Sequence, residues 1–472
     1  MSRPSLLRHC SLLLCCSAMA ELAAAAPSKP TETADAVLIQ ENVAWERRLH
    51  DALGLPAWLD LAVEQRTRFE FLDEPFRPGE ADTQSQYPQR TRLRVGVDAP
   101  AGFRFLAELQ DSRTWGDGPD DFTGSTIDKV SFAQLFASYT KRELLGSKLR
   151  LDLHLGRMSL DFGSRRLVAR NGYRNTTNAF EGVHVALGDG ALWRARAFYT
   201  RPVLLDPSYF ENESEGQLRF WGAAFEDKHA AWLNFDLYYF GLHDRLGSGS
   251  TVARSYQTFG ARALRAPKLA QWDYELEGMG QFGQRTVTRA GMPTELDQEA
   301  FAGHAELGYT FAAPWSPRLV AQFEYASGTA NPNGDESATF DPLFGARRGD
   351  LIVTGIYGPF RRSNILSPGV RLQIAPRPDL KAFLKVRYWR LAQEKDAFAG
   401  TGLSDASGEA GSNLGTDIEL SAQWSPKPWL VLETGYDHWF KGSYLDDVPA
   451  PAAGTISNDD SDYVYFSVLF RI

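Results

Sequence analysis

The chain has 472 residues, with 50 Lys and Arg against 59 Asp and Glu, a net charge of −9 and 12% aromatic residues. This acidic balance excludes a nucleic-acid binder. Its three cysteines (Cys10, Cys15 and Cys16) all lie near the N-terminus, and nothing beyond residue 26 reaches the ~18–20 apolar residues of a membrane helix. That leaves a large secreted β-protein, or a membrane β-barrel with its apolar residues at alternate positions.

Residues 1–26 are laid out as a secretory signal. Arg3 and Arg8 precede a short apolar core over residues 11–20, and small residues offer cleavage sites at Ala18-Met19-Ala20 or Ala24-Ala25-Ala26. Its removal would take every thiol with it, leaving no disulfide and no Cys-ligated metal. Residues 27–58 are expected to form a periplasmic N-terminal segment: a flexible leader at 27–36, then a short amphipathic helix at 41–53 stopped by Gly54 and Pro56.

From Leu59 to the C-terminus the pattern has period two. Leu59, Leu61, Val63, Thr67, Phe69 and Phe71 occupy one face; Asp60, Glu64, Arg66, Arg68 and Glu70 occupy the other. The second strand sets Leu93, Val95 and Val97 against Arg90, Arg92 and Arg94. A turn at 98–102 leads to a third, where Phe103, Phe105, Ala107 and Leu109 alternate with Arg104, Glu108 and Gln110. Further strands are predicted near 127–140, 148–156, 180–188, 191–200, 218–226, 231–241, 253–265, 271–283, 299–312, 318–327, 365–375, 380–392, 414–424, 428–440 and 462–472, making eighteen.

The links alternate in length. After even strands they are short: 98–102, 141–147, 188–190, 226–230, 266–270, 313–317, 376–379 and 425–427. After odd strands they are longer: 72–89, 111–126, 157–179, 201–217, 242–252, 284–298, 328–364, 393–413 and 441–461. Tight periplasmic turns and long outer loops are the layout of an outer-membrane barrel, predicting an all-β, antiparallel up-and-down transmembrane barrel over 59–472. A propeller would repeat every ~40–50 residues, and no such repeat is found. The last strand, with Val464, Phe466, Val468, Phe470 and Ile472 on one face, would be an aggregation hazard in water; it makes sense paired with the first strand in lipid. Trp315, Trp424 and Trp429 sit beside short turns, where an aromatic girdle belongs.

If the apolar faces meet lipid, the polar faces line a lumen, and eighteen strands are expected to leave an aqueous bore. Strands 1–7 supply Arg66, Arg68, Arg90, Arg92, Arg94, Arg104, Arg150, Arg194 and Arg196; strands 14 and 15 add Arg371, Lys385 and Arg387. Acids gather on strands 11–13 (Glu275, Glu277, Glu306, Glu324) and 16–17 (Asp417, Glu419, Glu433). Arg90, Arg92 and Arg94 repel one another on one face with little nearby acid, so they read as a basic ladder for carboxylate, sulfate or phosphate groups.

The stretch 156–182 inverts the local charge: Arg157, Arg165, Arg166, Arg170 and Arg174 face only Asp161 and Glu181. It is too polar and too rich in Gly and Asn for core. Its place after strand 5 makes it an outer link long enough to fold into the bore. Arg157 falls where Leu149–Leu155 parity calls for an apolar residue, which suggests a bulge at Gly156. Arg157, Arg165, Arg166 and Arg174 are therefore expected to face the pore, with Arg157, Arg165 and Arg166 lining a constriction beside the ladder.

The same stretch carries a resemblance. Gly156-Arg157, Phe162-Gly163-Ser164-Arg165-Arg166-Leu167, Asn171-Gly172-Tyr173-Arg174-Asn175 and Phe180-Glu181-Gly182, with a weaker echo at Phe340-Asp341-Pro342-Leu343-Phe344, resemble the alginate-export family of outer-membrane barrels. The resemblance implies a monomeric eighteen-stranded barrel whose arginine-lined constriction passes an anionic uronate polymer outward. The chain departs from the family pattern at Met158, Ser164-Arg165 and Glu181, where Gln, Asp-Gln and Asp are usual, and at Ile472, where an aromatic is usual. Ser164 in place of an acid makes the stretch more basic.

Other sites carry little. His154, His184, His304 and His438 have no HxxxH or HExxH spacing, so neither a metal nor a Ser-His site is indicated. The segment Ser131 to Ser138 lacks a hydrolase signature. Residues 331–336 hold oxygen ligands without the spacing of a calcium loop. The sequence thus points to a channel without enzyme activity or cofactor, whose partners are outer-membrane lipid, an anionic polysaccharide or small anions, and, for an exporter, periplasmic export proteins. Uptake of small anionic solutes is the alternative, and an outer-membrane enzyme or adhesin the third.

Overall fold

The computed structural model describes residues 48–472 except 81, 118–125, 190–191, 215, 231, 246–252, 290 and 452–455. The expected signal and leader lie outside the described residues. Of the expected helix at 41–53, the described part is helical at Arg48–Ala52.

Eighteen long strands build the wall: β1 Leu59–Asp73, β2 Gln89–Ala99, β3 Phe103–Arg113, β4 Asp128–Lys141, β5 Arg150–Met158, β6 Phe180–Gly188, β7 Trp193–Leu204, β8 Arg219–Ala230, β9 Leu233–Asp244, β10 Ala253–Arg265, β11 Gln271–Arg289, β12 Met292–Thr310, β13 Arg318–Ala326, β14 Ile365–Arg377, β15 Leu380–Arg390, β16 Asn413–Lys427, β17 Leu430–Lys441 and β18 Ser461–Arg471. Each pairs antiparallel with its sequence neighbours. β1 pairs with β18 in the register Phe71↔Val464 and Arg66↔Leu469, which closes the barrel and leaves no edge. Four shorter strands (Thr83–Gln86, Gly116–Asp117, Glu213–Ser214, Glu336–Ser337) decorate the long links.

The period-two pattern sets the two faces. Phe105, Leu155, Tyr199, Phe259, Leu276 and Leu307 stand exposed on the outside, where lipid would cover them. Trp58, Trp232, Trp272, Trp315 and Trp424 are exposed beside short turns and form a girdle at that end. Trp429 stacks on Phe470 there, with centroids 6.2 Å apart.

The predicted strand order and count hold, with one link different. The expected long loop at 284–298 is a tight hairpin: β11 and β12 stay paired out to Arg289↔Met292, beyond the apolar band. Backbone pairing needs no apolar side chain, so a polar ribbon can run on past the membrane.

The second difference is the interior. Residues 159–179 and 327–364 fold inward and carry their own core, with Leu160, Phe162, Leu167, Val168, Phe340, Leu351, Ile352 and Val353 all at 5% exposure or less. Phe162 meets Phe198 and Phe240 from the wall at 5.1 and 5.6 Å, and Phe344 meets Phe180 and Phe220 at 5.2 and 4.8 Å. The bore is therefore largely filled, and the stretch taken for too polar to be core supplies part of one.

Candidate functional site

The two inserted links are fastened to each other by backbone. Val168 and Phe344 form a parallel bridge. Phe344 N donates to Leu167 O at 2.9 Å, Ala169 N to Phe344 O at 3.1 Å, and Ala346 N to Arg165 O at 2.9 Å. Short polar side chains shape the first link. Asp161 accepts from Arg170 N at 2.7 Å, and Asn178 Nδ2 donates to the carbonyls of Ala169 and Phe344 at 3.0 and 3.1 Å. Asn175 Nδ2 reaches the wall carbonyls of Gln89 and Arg113 at 3.1 and 3.0 Å. The Asn-rich composition that marks a loop also supplies these buried donors.

Gly156 and Gly182 face each other across β5 and β6. Gly156 has φ +132°, and a Cβ there would lie 2.4 Å from Leu135 O. Despite this φ the register runs unbroken through Gly156, so the expected bulge is absent. Arg157 therefore keeps the outward parity of Leu153 and Leu155. It pairs in register with exposed Leu135 and donates to Glu181 Oε1, Phe132 O and Asn212 O at 2.7, 3.2 and 2.9 Å. Its expected place at the pore does not hold: an unbroken ladder cannot turn one side chain to the other face.

The wall arginines do lie on the inner face, but they are engaged. Arg66 donates to the carbonyls of Gly172, Tyr173 and Arg174 at 2.8, 2.8 and 3.2 Å, and to Asn175 Oδ1 at 3.2 Å. Arg68 donates to Tyr173 O at 2.7 Å and to Glu70 Oε1 at 2.5 Å, and lies over the Tyr173 ring at 4.0 Å. Arg90 donates to the carbonyls of Gly172 and Arg174, both at 3.0 Å, and pairs with Glu64 at 2.9 Å. Arg92 pairs with Glu64 at 3.2 Å and Glu108 at 3.6 Å. Arg94 is buried on the same face. Acid is thus close to the ladder, and Arg90 of the ladder together with Arg66 and Arg68 grips the bend at 172–175.

The other wall cations named from the sequence are ion-paired too, except Arg387, which meets a hydroxyl. Arg104 holds Asp60 and Asp98, each at 2.9 Å, and Arg150 holds Asp152 at 2.9 Å. Arg194 and Arg196 share Glu226, and Arg196 also donates to Asp161 O at 2.8 Å. Arg371 meets Glu306 at 3.2 Å, and Arg387 meets Ser367 Oγ at 3.1 Å. Lys385 pairs with Glu419 and donates to Leu351 O at 2.7 Å.

Arg166 enters the acidic wall. It pairs with Glu275 at 2.5 Å, with Glu277, and with Asp350 at 3.0 Å. From the second link, Arg362 pairs with Glu324 and with Asp350 at 3.3 Å, and Arg348 pairs with Glu433. Burial opposes the charge of Asp350, but Arg166, then His304 and Arg362, outweigh it and hold its carboxyl well below the usual carboxylate range. His304, Glu306 and Asp350 bring ligand atoms within 4.8 Å of one another. A dication there would have to displace the guanidiniums of Arg166 and Arg371, so the donor set is already neutralised without a metal. Arg165 has φ +69° and a side chain 45% exposed, and pairs with Asp161 at 3.0 Å.

Of four further cations in the links, the sequence singles out Arg174, but Arg77, Arg347 and Arg361 carry no strand parity and were missed. The four converge from three links. Burial, then the charges of Arg361, Arg77 and Arg174, push Arg347 down to about 9. Burial pushes Arg174 down to about 10. Glu80 meets Arg77 at 3.2 Å; Arg347 donates to Gly358 O at 2.8 Å, and Arg174 to Asn178 Oδ1 at 2.7 Å, both neutral acceptors. Repelling guanidiniums on neutral acceptors gain when an anion arrives. The doublets Arg347-Arg348 and Arg361-Arg362, in the link that holds Phe340–Phe344, were the available signal.

Among solved structures the chain is similar to OccK8 (OprE) of Pseudomonas aeruginosa, with TM-score 0.56 and 12% identity over 88% of this chain and 98% of that one. It is similar to OccD3 (OpdP) of the same organism, with TM-score 0.55 and 11% identity over 95% and 99%. A third is Pseudomonas aeruginosa OccK2 (OpdF) in complex with glucuronate, with TM-score 0.54 and 12% identity over 88% and 98%. These likenesses show the barrel fold. No curated protein matches the chain. The family model described as alginate export matches residues 57–455, most of the chain and all but the end of the barrel, so this outer-membrane channel belongs to the alginate export family.

Proposed function

We propose that this channel passes an anionic polysaccharide built of uronate units, and that the inserted links form its filter. The observation that carries this is the convergence of Arg77, Arg174, Arg347 and Arg361, with Glu80, among the described residues, the one carboxylate paired to any of them. Carboxylated sugars would meet these guanidiniums first, because the wall ladder is occupied by backbone carbonyls and by Glu64 and Glu108. The wall arginines named from the sequence then act mainly by positioning the links. Direction is outward, as the family implies, and export requires a periplasmic protein that delivers polymer to the barrel.

A second function, uptake of small anionic solutes, is favoured by the filled interior, which leaves little width for a chain. OccK2, of the same fold, was solved with a uronate monosaccharide.

Planar-bilayer recording tests both. Anion selectivity is expected, with block by an oligouronate that weakens about tenfold or more when Arg347 and Arg361 are both replaced by Gln. Cation selectivity in the unaltered protein, or block indifferent to the double variant, would overturn the assignment. Equal block by monomeric glucuronate and by the oligomer, per sugar, would favour uptake.

A further inference from the structure

The outward placement of Arg157 exposes a second charged surface, unrelated to the lumen. Along the outer ends of β3 to β8, on the face that meets lipid, stand Arg113, Lys129, Arg157, Arg201 and Arg219. Their parity follows from the ladders. Leu135, Arg157, Glu181 and Arg201 lie in one register row across β4 to β7. Arg113 shares the face of exposed Phe105, and Lys129 lies in a bulge opposite Asp111. Asp111 and Glu181 are the acids of these strand rows and Asp206 of the adjoining link stands near Lys129, so five cations face three acids and the arc is basic on balance. At the outer ends of β17 and β18 the same face carries Asp460 and Asp462 about His438 instead, so the bias is local.

The arc has an aromatic floor. Tyr209 lies within 5.7 Å of Arg113 and 5.9 Å of Lys129, and accepts from Arg113 Nη2 at 3.2 Å. Phe210 packs on Phe132 at 6.0 Å and is 59% exposed. Beneath Phe210 a cavity of about 390 Å³ opens between β4 and β6, lined by Phe132, Leu135, Arg157 and Asn212. Below it, Tyr199 stacks on Trp221 at 6.4 Å on the outward wall.

The long links place these strand ends at the outer leaflet. Cations above an aromatic belt at that depth match a lipid whose headgroup bears phosphate and whose tails lie along the wall. We propose that the arc binds a phosphorylated glycolipid of the outer leaflet, with Lys129, Arg201 and Arg219 holding headgroup phosphate and Phe132 and Phe210 receiving the top of an acyl chain. Arg113 and Arg157 support the floor, since their donors are committed to Asp111, Tyr209, Glu181 and backbone carbonyls. Arg219 gives Nη1 to the carbonyls of Gly216 and Leu218 at 2.6 and 3.1 Å and has its other nitrogens for phosphate. The lipid would fix the azimuth of the barrel in its leaflet and brace the link at 205–218.

The test is native mass spectrometry of the full barrel in detergent, titrated with bisphosphorylated lipid A. Retention of a lipid by the unaltered protein is expected, falling roughly a hundredfold in K129Q/R201Q/R219Q, at about fivefold per removed charge. The charge-keeping pair R201K/R219K should retain it, which separates lost charge from failed folding. R390Q, on the outward face of β15, should not change retention. Equal retention by the triple variant, or by lipid A stripped of both phosphates, would overturn the proposal. Displacement of the lipid by millimolar inorganic phosphate alone would show a free-phosphate site and overturn it as well. None of these outcomes depends on the lumen, so conductance and lipid retention fail separately.

Discussion

Arg66→Met is the sharpest perturbation of the inserted links. Methionine keeps much of the buried volume and removes the guanidinium. Arg66 is 5% exposed and donates to four oxygens of the 172–175 bend. A hydrogen bond to a charged group contributes about 1.5–3 kcal/mol net. Arg90 also holds the carbonyls of Gly172 and Arg174, and Arg68 holds that of Tyr173, so most acceptors keep one donor. Asn175 Oδ1 is the acceptor left without a second arginine, an uncompensated loss of about 1.5–3 kcal/mol, less whatever repulsion from Arg68 and Arg90 is relieved. At ~1.4 kcal/mol per decade, the ratio of displaced to seated link should rise by up to about a hundredfold. Single-channel recording should show larger and noisier conductance. Hydrogen exchange should show lost protection in residues 159–179, with the wall strands unchanged. Unchanged conductance together with unchanged protection would refute the view that the ladder works as a clamp.

Four further outcomes follow. Asp350→Asn should weaken the tie between the links and the acidic wall, raising conductance several-fold. The depressed pKa of Asp350 fixes the pH sign: its contribution is fully present above the unfolded carboxylate pKa of ~3.9 and is lost only as pH falls through the lower folded value, so conductance from pH 8 to pH 5 should not respond to this group. Gly156→Ala would set a Cβ 2.4 Å from Leu135 O at φ +132°, a strain of about 1–3 kcal/mol or more, visible as a lower melting temperature of the folded band on unboiled gels. Asn175→Ala leaves the carbonyls of Gln89, Arg113 and Thr126 without this donor and should increase channel noise while leaving ion selectivity unchanged.

The wall was legible because lipid on one side and polar interior on the other impose period two on every strand, as in Leu149–Leu155 against Arg150, Asp152 and His154. The hairpin of β11 and β12 was not. Above the membrane no face needs to be apolar, so Gln284, Arg285 and Thr286 pair by backbone and leave no pattern. The filled interior was hidden for a related reason. Leu160, Phe162, Leu167 and Val168 are too widely spaced among Gly, Ser and Arg to look like an element, and their partners are wall residues such as Phe198 and Phe240, far off in sequence.

The arginine ladder shows where sequence parity stops being informative. Three like charges on one face imply a compensating partner but not its kind. Glu64 and Glu108 supply part of that compensation here, and carbonyl oxygens of 172–174 supply much of the rest. A carbonyl carries no net charge, so it leaves the positive potential in place while fixing the geometry of the donors. A solute carboxylate would have to evict three backbone acceptors to reach Arg66 and two to reach Arg90, all in the bend, whereas Arg347 gives Nη1 to the carbonyls of Gly358 and Phe360 in its own link and can be reached with the bend in place. The wall ladder can therefore set the field and hold the filter while the link arginines make the contacts. Neutralising ladder and link arginines should then fail differently: the first by loosening the links, the second by losing the anion with the links still seated.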